Sequence, residues 1–123
     1  MFAQPQASSI ILVPAAARYA DGNNYTVPIK ADNCLEGVFI LEASQGAGTY
    51  TNETLDVDIV SYDKYTDDWD VIASFTQITD ATTAIRELLR IPYGLGILIS
   101  CKWAIANCLV GEAYTFSVTG TLK

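Results

Sequence analysis

No histidine occurs anywhere in these 123 residues. That absence removes the Ser–His and Cys–His schemes of nucleophilic catalysis, and with them the commonest metal ligand. Cysteine is scarce and odd in number: Cys34, Cys101 and Cys108 stand alone, without the paired spacing of a zinc site. No metal, cofactor or disulfide framework is expected, and three free thiols suit a reducing cytoplasm. Basic residues are few, 7 against 14 acidic, for a net charge of −7. Such a surface repels phosphate backbones and anionic lipid headgroups, so neither nucleic acid nor membrane is an expected partner. Long hydrophobic runs are missing too. The longest, from Ile10 to Ala17, is about eight residues interrupted by Pro14, far short of the roughly 20 that span a bilayer. No Lys or Arg precedes it, so the small residues Ala15, Ala16 and Ala17 are not expected to be a signal cleavage site. The sequons at Asn24 and Asn52 then carry no weight.

What the chain does have is apolar residues, 50% of the total, enough for one folded domain and not for two. They alternate. Leu55, Val57 and Ile59 interleave with Asp56 and Asp58; Ile97, Ile99, Cys101, Trp103 and Ile105 set off Ser100 and Lys102; Tyr114, Phe116, Val118 and Leu122 interleave with Ser and Thr. This period of two predicts strands over 55–59, 97–105 and 114–122. The stretch 69–77 repeats the device, with Trp69, Val71, Ala73 and Phe75 on one face. A β-branched run at 9–13 ends at Pro14, and 37–43 is apolar on both faces, as a covered central strand would be. Pro28 limits 25–30 to an edge or very short strand, and 45–54 has loop composition. Residues 80–92 could open a helix behind Asp80, or hold a strand at 85–91 closed by Pro92; strands on every side favour the second. Seven or eight strands without a long helix predict an all-β antiparallel β-sandwich over 9–123, jelly-roll-like in topology. Residues 1–8 read as a flexible arm that orders on meeting a partner.

Chemistry could hide in DKYTDDWD, residues 63–70, with four carboxylates in eight positions. An EF-hand calcium loop needs oxygens at positions 1, 3 and 5, glycine at 6 and glutamate at 12, and this stretch fails the pattern. Its place between two alternating segments predicts a hairpin connection over 65–68. Asp56 and Asp58 stand about 7 Å apart on one strand face, within the range of glycosidase acid pairs. Paired acids on an exposed face ordinarily serve solvation, and no cleft is predicted to perturb them. GlyAlaGly at 46–48 lacks a following helix and TyrGlyLeuGly at 93–96 lacks the lysine of a phosphate loop. No enzymatic activity is expected. Trp69 and Trp103 run in phase with apolar neighbours and read as core. The candidate partner contacts are instead Tyr62, Tyr65 and Tyr93 in or beside loops, where a ring offers contact area at low entropic cost, together with Phe2 and Gln4 of the arm.

Two long stretches, LDVDIVSYDKYTDDWDVIASFTQIT at 55–79 and ISCKWAIANCLVGEAYTFSVTGTLK at 99–123, resemble the small β-sandwich virion proteins of tailed bacteriophages that decorate or cement the capsid. That group shows an "LDV-I-S-D----W--IASFTQIT" hairpin, an "LR" strand, a "--KW-I" strand and a final "-TFSV" strand. The chain departs from it at 106–112, where AlaAsnCysLeuValGlyGlu replaces a Gly/Thr-rich turn. The resemblance implies a structural protein on the capsid exterior of the virion, made in the host cytoplasm. Its implied partner is the major capsid protein, its implied state a homo-oligomer with trimers favoured, and its implied task to clamp neighbouring shell subunits. A carbohydrate-binding β-sandwich of a tail or neck is the alternative from a different class.

Overall fold

The computed structural model describes residues 8–45, 52–79, 81–108 and 112–123, and no helix forms among them. Nine strands follow in order: β1 (Ser8–Arg18), β2 (Gly22–Asn23), β3 (Ile29–Lys30), β4 (Gly37–Gln45), β5 (Thr54–Asp63), β6 (Asp68–Ser74), β7 (Ile85–Ile91), β8 (Leu98–Ala106) and β9 (Tyr114–Leu122). All the pairings are antiparallel. One sheet, A, runs β1-β9-β4-β7; the other, B, runs β2-β8-β5-β6, with β3 also on the outer edge of β8. Alternation is the cause: Phe39 and Leu41 of β4, Leu55, Val57 and Ile59 of β5, Ile99 and Cys101 of β8, and Tyr114, Phe116 and Val118 of β9 all point into one core between the sheets. The expected antiparallel β-sandwich is what forms, and 85–91 is a strand.

Several local expectations change. Pro14 does not end β1, which continues to Arg18 and pairs Ala16 with Phe116 and Ala17 with Thr115. Proline is tolerated there because β1 is an edge strand and Pro14 falls in a register irregularity between Val13 and Ala16. Ser8, at the end of the expected arm, already pairs with Leu122; residues 1–7, and with them Phe2 and Gln4, lie outside the described residues. The expected strand at 25–30 shrinks to Ile29 and Lys30.

The largest correction concerns Trp69. Between β5 and β6 the register passes from Ile59↔Ala73 to Val60↔Val71, leaving Ile72 as an extra residue. A bulge of this kind exchanges the two faces of the strand beyond it. Ile72 and Ala73 therefore pack against the core, whereas Val71 is 46% exposed and Trp69 stands on the outer side of sheet B. There its indole stacks on Tyr25 (ring centroids 4.8 Å apart, 10° between planes) and meets Tyr62 at 5.4 Å. Tyr25 sits in the excursion between β2 and β3, so the two rings meet above β8 and β5. Val60 and Ser100, paired neighbours on that outer side, are buried, although Ser100 reads as outward-facing in the sequence. Trp103 does pack against the core, edge-on to Phe116.

Candidate contact surfaces

Sheet A ends in a row that runs across all four strands: Ser8 opposite Leu122, Leu122 opposite Gly37, and Gly37 opposite Ile91. The connection from β7 to β8 leaves from this end, and β1 begins there at Ser8. Two glycines shape the connection. Gly94 and Gly96 have φ of +85° and +76°, the left-handed region that costs glycine nothing. Between them Leu95 is buried, and its carbonyl accepts a 2.9 Å hydrogen bond from the Ser61 hydroxyl of β5. A Cβ on Gly96 would collide with the Ser61 hydroxyl oxygen. The loop is pinned at its middle, which holds Tyr93 out in solvent at 81% exposure.

Tyr65 is more exposed still, at 89%, on the β5–β6 turn, which spans residues 64–67. The aspartates of DKYTDDWD build that turn: the Asp63 carboxylate accepts the Tyr65 N–H at 2.8 Å, and Asp67 takes a left-handed φ of +53° while accepting the Tyr62 hydroxyl proton. Ser61, Tyr62, Lys64, Tyr65, Gly96 and Ile97 border a shallow open hollow of about 380 Å³. The two turns thus stand side by side at one end of the sandwich. Tyr62 and Tyr65 share the hollow; Tyr93 does not line it, standing in the loop that leads to Gly96. Ile97, expected to point inward, is 44% exposed beside them. No alternation signal could have placed it there, because its position follows from the Gly96 turn.

Asp56 and Asp58, read as a solvated pair, share no cleft: Asp58 borders a shallow hollow with Tyr25, Lys102 and Trp103 that Asp56 does not line. Asp56 accepts two bonds from the Gln77 amide, at 3.0 and 3.1 Å, and Asp58 lies opposite Lys102 on the outer side of sheet B. Among the described residues no group of three or more Cys, Asp or Glu could hold a metal ion. The three cysteines are unpaired, with Cys101 buried.

The outer side of sheet A is a second surface, foreshadowed only by the apolar residues on both faces of 37–43. Registers place Ile11 beside Thr119, Thr119 beside Ile40 and Ile40 beside Leu88, an unbroken row over all four strands. Ile11 and Leu88 are 60% and 57% exposed. Thr121 and Val38 continue the surface on one side, Ser117 and Glu42 on the other. Charge enters at the β4–β7 border, where Arg86 lies 3.6 Å from Glu42 and Arg90 binds Glu36 at 3.0 Å, and just past β9, where Lys123 lies 3.9 Å from Glu36.

Proton binding gives this fold an alkaline weakness. Burial pushes the Cys101 thiol far above its ordinary value of about 9, with Asp58 adding to the effect, and burial with Glu53 and Glu112 raises Cys108. Tyr62 is raised chiefly by its bond to Asp67, and Tyr25 chiefly by burial. As pH climbs past about 9, the unfolded chain releases thiol and then phenol protons that the folded chain keeps, so stability falls. Thermal unfolding followed from pH 7 to pH 11 should show Tm flat and then declining from about pH 9, with Cys101→Ala softening the first part of the decline. An unchanged Tm across that range would contradict it.

A scan against protein-family models finds no match for the chain, and a search of curated proteins finds no relative.

Proposed function

We propose that this chain is a structural virion protein of a tailed bacteriophage, binding the outside of the capsid as a cement protein. The observation that carries the reading is the convergence at one end of the sandwich. The Tyr65 turn, the pinned Tyr93 loop and the point where the chain enters β1 all stand there. Exposed tyrosines on turns that are already ordered lose little entropy when a partner covers them. The resemblance of 55–79 and 99–123 to capsid decoration proteins supports the same reading, since those stretches form the β5–β6 hairpin and the β8 and β9 strands. Under it the partner is the major capsid protein, each contact is modest, and repeated attachment across the shell supplies the strength. We also read the topology as a jelly roll, with β2 and β3 counted as one interrupted strand.

The test is to purify DNA-filled virions and count this chain. A copy number commensurate with capsid symmetry is the expected result; a few copies confined to the tail would sink the cement reading. In reconstitution on heads lacking the chain, Tyr65→Ala with Tyr93→Ala should weaken attachment at least about tenfold, the effect of losing two contacts of roughly 0.7 kcal/mol each. Gly96→Val should do the same without touching either ring, by displacing the loop from Ser61. The alternative, glycan binding through the same tyrosines, predicts signal on a glycan array that Tyr65→Ala abolishes.

A further inference from the structure

We propose that the apolar outer side of sheet A is where this chain meets a second copy of itself, stacked face to face. The starting point is β4. Its sequence is apolar on both faces, as a strand covered on both sides would be, yet in the single chain only the Phe39 and Leu41 side is covered. Val38 and Ile40 point the other way, in the row and flank shared with Ile11, Thr119 and Leu88.

Charge selects the occupant. The chain carries −7, but the charges bordering the outer side of sheet A are paired among themselves, Arg86 with Glu42 and both Arg90 and Lys123 with Glu36. Asp56, Asp58, Asp63, Asp67, Asp68 and Asp70 all belong to sheet B or its turn. Stacking A on A puts the acidic sheets on the outside of four layers, about 30 Å apart at about 10 Å per layer. That exceeds the screening length of about 8 Å at physiological salt, so the repulsion between two acidic copies is largely removed.

Geometry then fixes the symmetry. A twofold axis parallel to the strands lays β7 of one copy over β1 of the other, and the same row over itself. Leu88 comes to the Ile11 side of a hollow of about 410 Å³ that Ile10, Ile11, Ile40 and Thr119 help to line, a knob offered to a hole. Arg90 comes over Ser9 rather than over the other copy's arginines. A twofold axis across the strands would instead set Arg90 against Arg86 and is disfavoured. The chosen axis also leaves both Tyr65–Tyr93 ends pointing the same way. The surface is small: four strands at about 4.8 Å by six residues at about 3.4 Å is roughly 400 Å² in projection, below the roughly 800 Å² a side of a standard interface. The pair should therefore dissociate on dilution.

Sedimentation equilibrium of the full chain from about 5 to about 500 µM tests this, at concentrations where an interface at the low end of the size range assembles. The expected result is a reversible monomer–dimer equilibrium. Leu88→Asp and Ile40→Asp should each raise its dissociation constant more than about tenfold, the usual scale for charging a small apolar contact. Val71→Asp, which charges an exposed apolar residue of sheet B, should leave it unchanged. Circular dichroism confirms folding, and Leu88→Arg stands in if Ile40→Asp fails to fold. A monomer throughout, a trimer of the kind the resemblance implies, or a dimer indifferent to Leu88→Asp would each overturn the pairing. The inference does not depend on attachment to a shell, and the virion copy number is read separately.

Discussion

Phe39→Ala should cost the fold about 3–5 kcal/mol, the usual toll for emptying a buried aromatic site, and lower Tm by roughly 10–20 °C for a chain of this size. The ring is fully buried at the centre of sheet A and lies over two glycines. A Cβ built on Gly37 would stand 2.6 Å from it, and one on Gly120, its cross-strand partner in β9, 2.7 Å. The glycines are absences that the ring fills. Gly120→Ala alone should therefore cost about 1–3 kcal/mol by overpacking, since Val38 O also lies 3.0 Å from the new carbon. In the Phe39→Ala background the same change should cost at least about 1 kcal/mol less, a coupling of the size seen between touching residues. Urea denaturation of the four proteins measures it. Strict additivity would show that the ring and the glycine do not share the space.

Tyr114→Ala is expected to rank beside it, at about 3–5 kcal/mol, while Tyr114→Phe should cost only about 1–2 kcal/mol. Tyr114 opens β9 with a fully buried ring, and its hydroxyl donates to the Glu53 carbonyl at 3.0 Å, with Ile78 O at 3.5 Å. Those carbonyls sit where the chain enters β5 and where Ile78 bridges back to Leu55. The phenylalanine variant keeps the packing and takes the Tyr114 donor from the Glu53 carbonyl, while the Ile78 carbonyl keeps the Leu55 N–H at 2.9 Å, so the gap between the two variants separates burial from hydrogen bonding. Equal losses in both would mean that the hydroxyl, not the ring, dominates. An m-value unchanged from the parent would show that the difference lies in stability rather than in compactness.

The strands were legible wherever apolar and polar residues alternate without interruption. β5, β8 and β9 follow from period two alone, and so does the inward set Leu55, Val57, Ile59, Tyr114, Phe116 and Val118. β7 was the ambiguous case. Ile85, Leu89 and Ile91 serve a strand as well as Ala84, Leu88 and Ile91 would serve a helix, and the sheet partner β4 decides it. Trp69 was misplaced because a bulge at Ile72 inserts one residue into the count, and sequence carries no mark of a bulge. β1 was cut short because Pro14 reads as a stop until its edge position is known. The tyrosines of the contact end were visible as loop residues; their gathering at one end was not, because it depends on the sandwich topology. The row on sheet A was hidden for the same reason, since Ile11, Ile40, Leu88 and Thr119 come from four strands scattered over the chain.

The bulge at Ile72 has one more consequence, in spectroscopy. By turning Trp69 outward against Tyr25 while Trp103 stays packed on Phe116, it gives the protein's two indoles separate duties as fluorophores. Emission from Trp69 follows the excursion that crosses sheet B, and emission from Trp103 follows the space between the sheets. A red shift from one without the other would reveal a domain that sheds its outer aromatic clasp before its interior yields.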